Sequence, residues 1–221
     1  MVDVPSAQDA LVNLFMTLYA VYEGSKRGEI DGRVKLMKLL QRVEEELTKK
    51  GMRGPSFVFY KWTHGAWSPE AQFDMGLLRD KGLISENKEL HQITLTSAGQ
   101  HVIDKSKSAI QKNRELFDVV NRVLASDIEY KSWELRAITY ATPSLEGEKK
   151  RIGEIEKGKI VLSPLAHEKA SKAFMIDDVW QDMLSDLFSE KLHGLIEEIP
   201  EKTNLQDYIP LSTLRSKRGL L

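Results

Sequence analysis

Between Gly32 and Gly99 the order of local signals leaves few folds open. Arg33 to Lys50 reads as a helix, with Leu36, Leu40, Val43 and Leu47 on one stripe. Lys35, Lys38, Arg42 and Glu44 to Glu46 cover much of its remaining surface, and Gly51 and Gly54-Pro55 stop it. Phe57 to Trp62 is β-branched and aromatic, either a short strand or a buried extended connection. Ser68, Pro69 and Glu70 then supply an N-cap, a first helical residue and an acid at the positive helix end. The predicted helix from Pro69 to Lys81 has Ala71, Met75 and Leu78 inward and stops at Gly82. Two short strands follow, Leu83-Ile84 and Gln92 to Leu95, joined by the polar turn Glu86-Asn87-Lys88. A new helix starts at Thr96-Ser97-Ala98-Gly99.

Helices capped by a small β-ribbon, in this order, are the arrangement of a winged helix-turn-helix. The predicted fold class is mainly α with a small β-ribbon: a winged helix plus a C-terminal helical region. The expected divisions are residues 1–104 (N-terminal helix and winged helix), 105–200 (helical region, a candidate for dimerisation) and 201–221 (a flexible tail with the basic close Arg215-Ser216-Lys217-Arg218).

Outside the central stretch, Ser6 caps a first helix whose Leu11, Leu14, Phe15, Leu18 and Tyr22 share a face. Glu23 to Gly32, with three glycines, reads as a loop. A long helix is expected from Thr96 to about Ser126, with apolar pairs every seven residues: Val102-Ile103, Ala109-Ile110, Leu116-Phe117 and Val123-Leu124. Such a stripe packs on another helix, either within the chain or in a homodimer through the helix 100–126. Asp127 to Thr142 reads as a further helix, and Pro143 to Gly158 as an exposed connection. Ser163-Pro164 has the form of another helix start, and Asp177 to Ile196 is amphipathic.

The formal net charge of -1 excludes attachment to nucleic acid by bulk charge, so DNA contact would need a local basic patch. With no cysteine, disulfides, thiolate metal sites and a cysteine nucleophile are excluded. No basic leader with an apolar run opens the sequence, and no apolar run reaches membrane-spanning length. The expected location is cytoplasmic, without a membrane partner.

For double-stranded DNA, the candidate contacts are Gln72, Arg79 and Lys81 on the recognition helix and a rim of Arg33, Lys35, Lys38, Lys61 and Lys88. The recognition helix also carries Glu70, Asp74 and Asp80. Its outer face of Gln72, Phe73, Gly76 and Asp80 suits a protein better than a phosphate backbone. Phe73, Gly76 and Trp67 are accordingly the candidate protein contacts, although apolar residues all round favour a Phe73 covered by the N-terminal helix. Tyr60, Trp62, His64 and Trp67 form an aromatic cluster, read as half-buried core rather than stacking platform.

No nucleophile stands in a recognisable context around His64, so no catalytic residue is assigned and the chain is expected not to be an enzyme. Gly153 to Lys159 has phosphate-loop spacing. However, Ile160 replaces the magnesium-binding hydroxyl residue, and Glu154 and Glu156 would repel phosphate. The five histidines are scattered, so no metal and no cofactor are proposed.

The segment Ile93-Thr94-Leu95-Thr96-Ser97-Ala98-Gly99 resembles the wing exit of MarR- and PadR-like winged-helix regulators. Lys35-Leu36-Met37-Lys38-Leu39-Leu40, followed by Tyr60-Lys61-Trp62 and Gly65-x-x-Ser68, resembles prokaryotic SocA-like (Panacea) antitoxin domains; Ala66 stands where that family usually has proline. The first resemblance implies a dimeric transcription regulator on operator DNA. The second implies direct neutralisation of a toxin protein. The leading expectation is the DNA-binding regulator, and the alternative is a protein-binding, antitoxin-like module.

Overall fold

The computed structural model of the chain describes residues 6–87, 89–146 and 150–198. It is mainly α-helical with small sheets. Two compact units divide it, residues 1–181 and 182–221. In the second, the described residues are helical to Glu198.

Helix α1 (Ala7–Arg27) is closed at its start by a capping box. The Ser6 hydroxyl accepts from the Asp9 amide at 3.1 Å, and the Asp9 carboxylate accepts from the Ser6 amide at 2.9 Å. The helix overruns the expected loop at Glu23 because Gly24 serves packing here, not a turn. A Cβ on Gly24 would stand 2.9 Å from Ile30 Cδ1, so any larger residue would make that side chain shift.

Helix α2 (Arg33–Lys49) lies at the centre, against α1, the strands Met52–Arg53 and Gly65–Trp67 and three later helices of the first unit. Its predicted stripe of Leu36, Leu40, Val43 and Leu47 is fully buried. The charged surface is not solvated as expected: Lys35, Lys38, Gln41, Glu44 and Glu45 are buried too. A central helix is enclosed on all sides, and amphipathic patterning assumes that one side meets water.

Strands β1 (Met52–Arg53), β2 (Phe59–Trp62) and β3 (Gly65–Trp67) follow. β2 and β3 form a tight hairpin with Tyr60 opposite Trp67 and Trp62 opposite Gly65. Gly65, at φ +96°, makes its return. Helix α3 (Pro69–Asp80) begins as predicted: the Ser68 hydroxyl accepts from the Ala71 amide at 3.4 Å. Ala71, Met75 and Leu78 face inward, joined by Leu77 and Asp74. Strands β4 (Ile84–Asn87) and β5 (Gln92–Leu95) pair antiparallel, Ile84 opposite Leu95 and Asn87 opposite Gln92. The Ile93 amide also donates to the Ile30 carbonyl at 2.9 Å, which ties this ribbon to the α1–α2 connection.

The expected long helix is broken into α4 (Ser97–Lys105), α5 (Lys107–Lys112) and α6 (Arg114–Asp127). The breaks fall at Ser106 and Asn113, whose side chains donate back to the carbonyls of Val102 and Ala109. That i−4 bonding competes with the helix ladder and bends it. The period-seven pairs are nevertheless buried, Ile110 partly, and α6 packs on α1 and α2. The stripe is therefore occupied within the chain.

Helix α7 (Ser132–Ala141) is next, and the stretch after it is less open than expected. Pro143 bridges Arg151, and Ile152 is buried in a 3-10 turn, Ile152–Glu154. Strand β6 (Ile160–Leu162) adds to β2, giving the sheet order β3-β2-β6. Ser163-Pro164 starts no helix; the chain stays extended there, and the Ser163 amide donates to Glu146 at 2.9 Å. β7 (Lys172–Ala173) lies parallel to β1. Helix α8 (Asp178–Glu198) is capped instead by Asp177, whose Oδ1 accepts from the Trp180 amide at 2.8 Å.

Candidate functional site

The candidate DNA contacts do not come together as a free basic surface. Arg33 Nε is held by both Glu86 oxygens, at 2.9 and 3.1 Å, so the first residue of α2 is clamped to the ribbon. Arg79 lies 3.0 Å from Asp80 and 3.6 Å from the same Glu86. Lys35 is buried and donates to the Glu29 carbonyl at 2.7 Å. Lys38 is 2 % exposed and donates to the Ala66 carbonyl. Lys61 is buried, its ammonium 3.7 Å above the Tyr140 ring. Gln72 and Lys81 are half-buried, and Lys88 lies outside the described residues.

The apolar candidates fare differently. Phe73 is not covered by α1; it is 43 % exposed. α1 takes the opposite face of α3, and Phe73 falls on the outer one. Gly76, beside it, has open space where a Cβ would stand. Trp67 and Trp62 are half-buried neighbours, ring centres 5.8 Å apart.

These tryptophans wall a small cleft between the start of α2, the β2–β3 hairpin and α3. Val34 and Met37 close one side, Trp62 and Trp67 the other, and Lys38 forms the floor. The space is about 90 Å³, room for one side chain, whereas small-molecule pockets begin at about 300 Å³. Helix α7 borders it. Arg136 stands 3.5 Å from His64 Nδ1, and the Tyr140 hydroxyl donates to the Thr63 carbonyl at 2.8 Å. Trp133 shares the α7 face with those two residues, by the i, i+3, i+7 spacing, and is 62 % exposed. Val34, 42 % exposed, continues the apolar surface.

Four buried ionisable groups on these elements carry displaced pKa values; burial lowers Lys35, with Asp31 opposing it. Burial, with Lys61 and Arg136 adding repulsion, lowers Lys38 to about 7. Burial raises the Asp74 carboxyl on α3 well above its ordinary range, and Glu70 adds to it. Burial likewise raises Glu44, although Arg53 opposes it. Such groups occur at functional sites and in structural cores alike, and only Lys38 opens on a cleft.

A second polar cluster, Asp9, Arg53 and Ser56, has His167 beside it. Asp9 Oδ1 takes the Ser56 hydroxyl at 2.9 Å and lies 3.5 Å from His167 Nε2. The acid thus stands between serine and histidine. A base that activates a serine must itself face the hydroxyl. Gly153 to Lys159 runs from the 3-10 turn into β6, without the helix that a phosphate-binding loop requires. No group of metal-ligating side chains occurs among the described residues.

The sequence reading missed Val34, Met37, Trp133 and Arg136. Trp133 carried a usable signal: the Trp133, Arg136, Tyr140 spacing sets one side of α7 apart from the buried Leu135 and Thr139.

No family model, curated protein or solved structure matches the chain. No helix among the described residues is long and apolar enough to cross a membrane.

Proposed function

We propose that this chain is a non-catalytic winged-helix module that binds another protein through the face shared by α2, α3 and the β2–β3 hairpin. The winged-helix reading is supported by the order α2, α3, β4–β5 ribbon, α4, with the ribbon anchored at Ile30. One observation carries the choice of partner: the candidate DNA-contacting cations Arg33, Lys35, Lys38, Lys61 and Arg79 are buried or held by intrachain groups, while Phe73 and Val34 are exposed. A phosphate backbone needs accessible Lys and Arg, and protein interfaces are enriched in aromatic anchors. This is also the role that the resemblance to SocA-like antitoxin domains implies.

The test is a mobility-shift titration with random duplex at a low and a moderate salt concentration. The module gives no shift at either. A shift that weakens steeply with salt would restore the alternative, a DNA-binding regulator using Gln72, Lys81 and the ribbon.

A further inference from the structure

The cleft beneath the β2–β3 hairpin combines apolar walls with a positive charge that no carboxylate among the described residues pairs with. Among the described residues, no carboxylate lies within ion-pair distance of Lys38, Lys61, Arg136 or Lys157. Two acids of the bordering helices are used locally: Glu70 accepts from the Ser68 hydroxyl at 2.7 Å, and Glu134 from the Lys131 amide at 2.7 Å. Lys38 has one acceptor, the Ala66 carbonyl, for its three donors. Lys61 and Arg136 both act on it repulsively, and no acid offsets them. Lys157 and Arg136 stand exposed nearby, Lys157 4.2 Å over the Trp62 ring and Arg136 against His64.

We propose that this cleft receives one apolar side chain of an acidic peptide segment in a protein partner, with a flanking carboxylate of that segment set against Arg136, Lys157 and the Lys38 floor. The proposal rests on the protein-binding reading above and adds the chemistry of the partner. Size selects a side chain over a nucleobase or metabolite, since the space is about 90 Å³. The rings also argue against base stacking: Lys157 covers one face of Trp62, and Trp67 lies beside it. A carboxylate brought here gains charge-assisted hydrogen bonds in a partly dry site, and the anchor gains burial against two tryptophans. Trp133 and Val34 extend the contact beyond the cleft.

The test is selection of a displayed random-peptide library on the full chain, with Arg136→Glu and Trp67→Ala as counter-selection targets. Arg136 is exposed, so its replacement leaves the fold intact. Enriched peptides should place Asp or Glu beside a Leu, Ile, Phe or Trp. A labelled selected peptide should bind Arg136→Glu at least about tenfold more weakly, close to 1.4 kcal/mol. It should also shift the indole NMR signals of Trp62 and Trp67. No enrichment, enrichment of basic or uncharged peptides, or equal binding to Arg136→Glu would each overturn the proposal. A single-stranded nucleic acid that bound in an Arg136-dependent way would also overturn it. These outcomes are separate from the duplex titration: a chain that ignores both duplex and acidic peptides loses this inference and keeps the broader one.

Discussion

Asn113 grips Met175 with both ends of its side-chain amide: Oδ1 accepts from the Met175 backbone N–H at 2.6 Å, and Nδ2 donates to its carbonyl at 2.8 Å. The same Nδ2 donates to Ala109, so one buried residue bends the helix and docks the strand of chain that leads to α8. Seven residues earlier, Ser106 bends the helix again, and its hydroxyl accepts from Trp180 Nε1 at 3.3 Å. Trp180 is then held edge-on to Phe15, ring centres 5.1 Å apart.

Asn113→Ala should therefore destabilise the first unit by about 2–4 kcal/mol, because it strands the Met175 N–H and carbonyl as well as removing three hydrogen bonds. Urea unfolding followed by tryptophan fluorescence measures this. A loss below about 1 kcal/mol would mean that water replaces the amide without cost.

Gly99 admits no side chain. A Cβ there would stand 2.2 Å from the Leu83 carbonyl oxygen, and that oxygen also accepts from the Thr96 hydroxyl at 3.0 Å. Gly99→Ala must push α4 away from the base of the ribbon, costing about 1–3 kcal/mol or more. Amide hydrogen exchange should show the β4–β5 pairs losing protection first. Protection unchanged from the parent chain would refute the coupling.

The Asp9 carboxyl is raised by burial but lowered further by the Ser6 amide, Arg53, and the Ser6 and Ser56 hydroxyls, to about 2. Its stabilisation is full above the unfolded value of 3.8 and is lost as pH falls through about 2. Asp9→Ala should cost about 3–5 kcal/mol at pH 7, since it leaves the Arg53 guanidinium buried without its carboxylate. The deficit should shrink in unfolding curves taken at the lowest accessible pH. A deficit that stays constant with pH would point to packing loss instead.

Lys38 behaves in the opposite sense. Below about pH 7 it is charged in both states, and the folded chain bears the full penalty of enclosing it. From about 7 up to the ordinary lysine value of 10.5 the folded state releases the proton while the unfolded state keeps it, so stability rises with pH across that window. Lys38→Met, similar in length and uncharged, should raise the melting temperature at pH 6 and flatten the rise above pH 7. A melting temperature that falls at pH 6 would show that the bond to the Ala66 carbonyl outweighs the buried charge.

The parts readable from sequence are those whose causes are local. Ser68-Pro69 and Thr96 each start a helix where predicted, because a cap needs only its own next three residues. The β4–β5 ribbon was legible for a similar reason, its strands lying close together and pairing directly, although Glu86 and Asn87, expected in the turn, belong to β4. The failures sit where a distant segment decides. Gly24 looked like a turn residue, but Ile30 and Ile128 use its missing side chain. Ser163-Pro164 looked like a helix start, yet the preceding residues complete a sheet with β2, far earlier in the chain. The candidate basic rim dissolved because Arg33 met Glu86, and Lys38 and Lys61 were enclosed by the hairpin and α7.

By itself, the amino-acid sequence determined the capped starts at Ser6, Ser68 and Thr96, the stop at Gly82 and the apolar stripes, since each depends on contacts within a few residues. Only the tertiary structure decided which charges are spent and which are free. A lysine or arginine side chain takes its electrostatic character from whatever folds against it. Here the long-range packing of α7 and the hairpin onto α2 enclosed Lys35, Lys38 and Lys61 of the expected DNA-facing rim and set Lys38 at the floor of an apolar cleft.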